Sequence, residues 1–290
     1  MYDSISLKIN QNDLNENKLQ GLPATEKGGR VNYHLKNLKI IKVYDSYYLV
    51  GSIAKYVNDT NVNSITAQDF KDALTTIENA LDTDLHKALL LRVDVGLNLF
   101  SKNDILDAFG ACNDSRIVRN QRTRNHRLES ILYQSHSFEF EIYDKGLESK
   151  TDVKGLYRLE YRIKKRQAIQ RIFNVDITPY ALLSANVKDV LKQRFRDFYD
   201  SIEKKDTLTI CKNVREKMQK ATVKDVKDVL AFLWISENQQ RFRALKKHFP
   251  ESMDLNRLKR ELQNLKPPFY RVCSTADEIE KSIKLWENMA

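Results

Sequence analysis

The run Ala88–Leu99 is the most apolar segment of the chain, yet polar residues recur in it at every second position. That alternation has the period of a β-strand. It sets Arg92, Asp94, Gly96 and Asn98 on one face and Val93, Val95 and Leu97 on the other. A strand apolar enough to lie centrally in a sheet, but charged along one face, commits the chain to a sheet with two unlike sides. A carboxylate in such a strand needs a partner. Arg92 supplies one, either as a structural ion pair on a solvated face or as part of a working site.

The rest of the first half reads as mixed α/β. Ser4 to Asn10 is a strand, and Leu38 to Tyr44 with Tyr47 to Val57 form a hairpin about Asp45-Ser46. Between Ser64 and Asp82 the period changes: Ile65, Phe70, Leu74, Ile77 and Leu81 recur at helical spacing, and Thr66 with Asp69 forms a capping box. A short helix over 103–109, an arginine-rich loop and a second hairpin (Leu128 to Gln134 and Ser137 to Tyr143) follow. Leu156 to Ile163 is the last strand, and it runs into the basic segment Lys164 to Arg171. Beyond Pro179 nearly everything is helical in pattern: 187–203, 207–219, 223–236, 237–248, 254–265 and 276–288. The expected fold is therefore α+β, an N-terminal domain over 1–178 with a largely antiparallel sheet and an all-helical C-terminal domain over 179–290.

Charge separates the two parts further. Residues 1–150 hold 19 Lys/Arg against 20 Asp/Glu and residues 151–290 hold 30 against 19, so the net +10 resides in the second half. A basic half joined to a neutral one fits a polyanion, most simply nucleic acid, although basic helices also serve solubility alone. Cys112, Cys211 and Cys273 are widely spaced and include no CxxC pair, which argues against a disulfide framework or a cysteine zinc site. No segment has the length of uninterrupted apolar sequence that crosses a membrane, and the first residues lack the apolar core of a signal peptide, so no membrane partner and a cytoplasmic location are expected.

Two further segments mix charge with strand-forming residues. In Phe138–Glu148, Tyr143 and Lys145 alternate to one face, and a turn after Gly146 brings Glu148 back toward Lys145. A phenol beside an ammonium suits attack on a phosphodiester, because the cation favours the ionised nucleophile; a tyrosine on a strand also serves plain β-packing. In Tyr157–Lys164, Arg158, Glu160, Arg162 and Lys164 share a face. If this strand neighbours that of Asp94, two carboxylates meet on one surface, as ligands for a hard cation or as members of a cross-strand ion-pair ladder.

The order R-x-D, then Y-x-K-x-x-E, then R-x-E-x-R-I-K, spread over Arg92 to Phe173, resembles the filamentous-phage gene II replication proteins and, more distantly, the tyrosine initiators of rolling-circle plasmids. The resemblance implies a metal-dependent DNA-nicking and strand-transferring endonuclease, in which Tyr143 is the nucleophile, Lys145 an active-site cation and Glu148 the motif's acidic end. It implies Asp94 and Glu160 as ligands of Mg²⁺ or Mn²⁺. The paired-histidine motif of the wider nicking superfamily is absent, leaving His136 or His126 to supply a third ligand. The substrate would be DNA, single-stranded at the nick and duplex at an origin. With no GxxxxGK[ST] loop, a host helicase must separate the strands before a host polymerase extends the 3′ end.

Basic segments complete the list of DNA contacts. Arg116, Arg119, Arg122, Arg124 and Arg127 fall within twelve residues free of Asp and Glu. Residues 237–248 and 254–265 resemble a helix-turn-helix, with Arg257, Lys259 and Arg260 on its second helix. Two other functions fit the same residues: a conjugative relaxase with identical chemistry, and an origin-binding repressor with none.

Overall fold

The computed structural model describes residues 2–27, 30–101, 104–124, 127–149, 153–204 and 275–288. Two compact units divide the chain. One comprises 1–101, 111–203 and 283–290, the other 102–110 and 204–282. In the second unit the described residues include a 3-10 turn at Leu106–Ala108, where a short helix over 103–109 was expected, and the first part of the helix Thr275–Glu287. The expected helices between 207 and 265, with Arg257, Lys259 and Arg260, lie outside the described residues, as do Cys211, Cys273 and His126.

The sheet unit is α+β. Its strands are β1 (Tyr2–Asn10), β2 (Ala24–Lys27), β3 (Arg30–Leu35), β4 (Leu38–Val43), β5 (Ser46–Ser52), β6 (Leu89–Phe100), β8 (Val118–Arg124), β9 (Arg127–Gln134), β10 (Phe138–Asp144) and β11 (Leu156–Ile163). Strands β7 (Phe109–Cys112) and β12 (Ile202–Lys204) occupy the chain positions where one unit gives way to the other. The ten strands form one sheet in the order β2-β3-β4-β5-β1-β6-β11-β10-β9-β8, and every pairing is antiparallel. The apolar strand β6 lies near the middle, as its composition requires.

The two faces of this sheet differ as the alternation in β6 predicts. On one face Val93, Val95, Leu97, Leu159, Ile163, Phe140 and Ile142 are buried. Helix α3 (Ala67–Leu81), capped by the Thr66–Asp69 box, reaches this side through Phe70, which packs on Tyr2 at 5.1 Å. The Tyr2 hydroxyl donates to the Leu182 carbonyl at 2.6 Å in the 3-10 turn Pro179–Leu183. Helix α6 (Ala185–Ser201) sets Phe195 and Phe198 on Phe140, each at 5.2 Å, and Trp286 of the terminal helix α7 (Thr275–Glu287) packs on Phe195 at 4.8 Å. The sheet unit thus continues beyond residue 179. Helix α5 (Arg166–Phe173), the basic segment of the sequence, packs against β6. The shorter helices α1 (Glu16–Gln20), α2 (Ile53–Asn58) and α4 (Lys145–Glu148) cap strand ends.

Three local expectations change. The strand expected over 47–57 ends at Ser52, whose hydroxyl accepts from the Lys55 amide and starts α2, because an N-cap outweighs the β-branched run that follows. The hairpin turn falls at Tyr44-Asp45, with Val43 opposite Ser46 and Tyr44 at φ 51°. The arginine-rich segment is no loop. It builds β8 and the start of β9, where charge is tolerated because β8 is an edge strand with water beside it.

Strand β11 is joined to the end of β6 through Gly155, at φ +74°, whose carbonyl accepts from the Ser101 amide at 2.9 Å. A Cβ at Gly155 would stand 2.3 Å from the Ser101 carbonyl oxygen. Gly155→Ala should therefore lower unfolding free energy by about 2 kcal/mol in a urea titration; an effect below about 0.5 kcal/mol would show that this junction does not hold the register.

Candidate active site

Register assembles the charged face in rows that cross the strands. The first row is Asn98, Arg158, Tyr143, Ser130 and Arg122, on β6, β11, β10, β9 and β8 in turn. The second begins Gly96, Glu160, Glu141, and the third Asp94, Arg162, Glu139. The three motif segments therefore converge on one surface through β6–β11–β10 pairing, although more than forty residues separate the first from the second in sequence.

Tyr143 is only 6% exposed, and its hydroxyl donates toward Glu160 Oε2 at 3.4 Å. Lys145, at the first position of α4, is fully buried. Its Nζ reaches Glu148 Oε2 at 2.5 Å and Asn61 Oδ1 at 2.8 Å and lies 5.5 Å from the Tyr143 ring centre. Glu148 returns to Lys145 not by a turn after Gly146 but by the helical turn α4, which starts at Lys145 because the strand ends at its N-cap, Asp144. This helical turn is pinned by Asp144, whose carboxylate accepts from the Leu147 amide, and by close approach at Gly146, where a Cβ would meet the Val153 carbonyl oxygen at 2.0 Å.

Arginines organise the remainder. Arg158, 3% exposed, donates to Asn98 Oδ1 at 2.7 Å, to Asp3 Oδ2 at 2.9 Å and to the Asn61 carbonyl at 2.8 Å. Arg92 grips Asp94 in a two-pronged pair at 2.7 and 2.6 Å. Arg162 donates through one Nη2 to both Glu160 and Glu141 at 2.6 Å, reaches Glu139 at 3.3 Å, and approaches Asp94 to 4.0 Å. Lys164 completes the pairing of Glu139 at 2.8 Å.

These contacts shift proton affinities in directions that bear on chemistry. Burial pushes the Glu160 carboxyl up to about 7; Arg162 opposes this, while the nearby charges of Asp3 and Asp94 add to it. Burial likewise raises Asp94 against the pull of Arg92. The Tyr143 phenol is pushed well above its ordinary value by burial and then by Glu160, with Arg158 in opposition. Burial lowers the Lys145 ammonium, and Glu148 counters it.

Several residues of this site carry no motif. Asp3 would fall on the apolar face by strict alternation, but a bulge between Tyr2 and Ile5 in the pairing of β1 with β6 turns it toward Arg158. Ser52 then donates to its other oxygen at 2.7 Å. Asn61, in the segment between α2 and α3, joins Lys145 to Arg158, and no local pattern announces it. Glu141 was legible only as an alternating charge, and Arg162, although inside R-x-E-x-R-I-K, was assigned no role there.

The expected metal ligands meet only in part. Asp94 and Glu160 share the face, but both Asp94 oxygens are bound by Arg92, and the Arg162 guanidinium stands among Glu160, Glu141 and Asp94 where a cation would stand. His136 lies in the β9–β10 turn, at the opposite end of β10 from Tyr143, against Lys165. Among the described residues no three His, Cys, Asp or Glu side chains are grouped to hold a metal ion. As arranged, the donor set does not fit a hard divalent cation, because guanidinium groups take up the lone pairs that coordination needs.

The five hairpin arginines are also dispersed. Arg116 pairs with Asp114 at 2.9 and 2.7 Å in the turn before β8. Arg119 opposes Tyr133 on the helix-covered face, whereas Arg122 lies on the charged face, 3.4 Å from Glu129. Arg124 and Arg127 are backbone partners at the hairpin tip.

Arg162 is the residue on which most of these carboxylates depend. Arg162→Met should lower unfolding free energy by about 3 kcal/mol at pH 8, because it leaves buried carboxylates unmatched. The loss should shrink at pH 5, where Glu160 is protonated and needs no counter-charge. A loss independent of pH, measured in urea at both values, would show that Glu160 is not the strained partner.

No protein-family model and no curated protein matches the chain. Among solved structures, the chain is similar to a rolling-circle replication initiator protein from Geobacillus stearothermophilus, at 11% identity and a TM-score of 0.42, over 74% of this chain and 89% of that one.

Proposed function

We propose that this chain is a DNA-nicking initiator of rolling-circle replication, with Tyr143 as its nucleophile. The observation that supports it best is the convergence of the three motif segments on one charged sheet face, with the Tyr143 hydroxyl 3.4 Å from the Glu160 carboxylate.

In this reading the Tyr143 oxygen attacks a backbone phosphorus and the bond to the 3′ oxygen breaks. The products are a 5′-phosphotyrosyl link and a 3′ oxygen that takes a proton from water to become the free 3′-hydroxyl. The buried phenol does not ionise alone near neutrality, so its proton must leave as the new bond forms. Glu160 Oε2 is in line to accept it, and a carboxyl group held up to about 7 is a stronger base than an ordinary glutamate. Lys145 and Arg158 stabilise negative charge as it builds on the phenolic oxygen and the phosphoryl group. Glu148 and Asn61 hold the Lys145 ammonium in place. Arg122, in the Tyr143 row two strands away, binds a flanking phosphate. The basic second half, including Arg257, Lys259 and Arg260, contributes affinity for the origin duplex, and a host helicase and polymerase act on the nicked product.

A second reading, an origin-binding repressor without chemistry, is favoured by the small exposure of Tyr143. A labelled single strand separates the two. The wild type should form a covalent adduct that maps to Tyr143, and Tyr143→Phe should abolish it while leaving binding within about twofold. An adduct on another tyrosine, or none with any single strand, would overturn the assignment.

The rate carries the signature of the base. Cleavage should rise with pH through about 7, as Glu160 loses its proton, and then level off. Glu160→Gln should be slower by about 10²-fold or more and lack that inflection. An unchanged pH profile in the glutamine variant would remove Glu160 from proton transfer.

A further inference from the structure

The helix-covered side of the sheet holds a cleft of about 610 Å³ where the β9–β10 turn meets α5 and α6. Its inner wall is aromatic: Phe138 stacks on Tyr161 at 5.9 Å with the rings 10° apart, and Phe198 leans on Tyr161 at 5.7 Å. Its rim is cationic. Arg116 comes from the turn before β8, Arg171 from α5 and Arg194 from α6, with His136 against Lys165 beside them. Two carboxylates also line it. Asp114 is taken by Arg116, and Asp197 acts with Arg194 on the Tyr161 phenol from opposite directions. Among the described residues neither Arg171 nor Arg194 has a carboxylate within ion-pair distance; Asp197 is near Arg194, and Arg171 Nε donates to the Gln167 carbonyl at 3.2 Å, which leaves the ends of both guanidinium groups for a ligand.

We infer that this cleft is a nucleotide-binding site, taking a phosphate on Arg171 and Arg194 and a base against the half-buried rings of Phe138 and Phe198, which the buried Tyr161 backs. The volume lies within the range that encloses a ligand of nucleotide size. Aromatic faces accept any base by stacking, and guanidinium groups match phosphate oxygens in geometry as well as charge. The aromatic rings would otherwise be an apolar hollow behind a cationic rim, and a nucleotide is the common biological species that satisfies both. Because Tyr143 points to the opposite face of the sheet, the inference does not rest on the nicking reading. The nucleotide could belong to a DNA strand or be free, and the two sources differ in what else they contact.

Fluorescence anisotropy of a labelled oligothymidylate, and calorimetry with thymidine monophosphate, test both sources on the full chain. The charge reversals Arg171→Glu and Arg194→Glu, made together on exposed helix positions, should weaken the occupying species by at least about tenfold while circular dichroism and melting are unchanged. A strand-bound nucleotide predicts that loss for the oligonucleotide with no monophosphate binding; a free one predicts it for the monophosphate as well. Cross-linking with iodouracil-substituted oligonucleotide should map to Phe138 or Phe198, and Tyr143→Phe should leave the cross-link intact. Unchanged affinity for both species in the double variant, or cross-links confined to other segments, would overturn the inference.

Discussion

Placing carboxylates on the central strands of a sheet costs several kcal/mol for each charge taken out of water, and that penalty is offset only by cations held close and in good geometry. Asp94 and Glu160, 1% and 3% exposed, impose this requirement on the whole charged face. Arg92 meets it for Asp94 from the same strand. For Glu160 it is met by Arg162, which must also serve Glu141 and Glu139 on β10. Burial pushes the Glu160 carboxyl up to about 7, and Arg162, shared among several carboxylates, opposes that rise without cancelling it. The register of β6, β11 and β10 is thus tied to electrostatics as well as to the apolar packing beneath, since a slip by one residue would carry Arg162 to the wrong face.

The same sheet solves a second problem by being unlike on its two sides. Phe140 and Tyr161 turn away from the charges and meet Phe195 and Phe198 of α6, so the helices cover only the apolar side. The segment between α2 and α3 closes part of the charged side instead, through polar atoms: the Asn61 carbonyl on Arg158, its side chain on Lys145, and the Val62 carbonyl on Asn98 at 2.5 Å. Hydrogen bonds, not apolar burial, hold that cover. It is therefore the kind of contact that an incoming phosphate, with oxygens of its own to offer, can replace.

Much of this was legible in the sequence because a period of two is hard to mistake. The alternation in Leu91–Asn98 located the central strand and divided its residues between the faces, and the bounds of Leu156–Ile163 match the observed strand. The capping box gave α3. Strands β2 and β3 were missed because Ala24–Arg30 is polar and broken by glycines, and the alternation of Val31, Tyr33 and Leu35 that follows is short. The arginine segment read as a loop because an edge strand needs little hydrophobicity to pair on one side only. Within the site, spacing singled out Tyr143, Lys145, Glu148, Asp94 and Glu160, while their roles were implied only by the resemblance of the three motifs. Asp3 could not be, since a bulge inverts its face, and Asn61 could not be, since its role exists only once the strands are assembled.

The burial of Tyr143 has a consequence for how such a site is kept silent. A phenol raised above its ordinary proton affinity by burial keeps its proton while no electrophile is present, because transfer to Glu160 would leave a buried phenolate. Only when a phosphodiester brings phosphorus to the phenolic oxygen does loss of that proton become favourable, as bond formation removes the charge that burial penalises. Lys145, itself lowered by burial and held by Glu148 and Asn61, gains its full value as a cation at the same moment, when negative charge appears beside it. In this reading the low-dielectric setting that makes Tyr143 a poor acid at rest is what couples its ionisation to the presence of substrate.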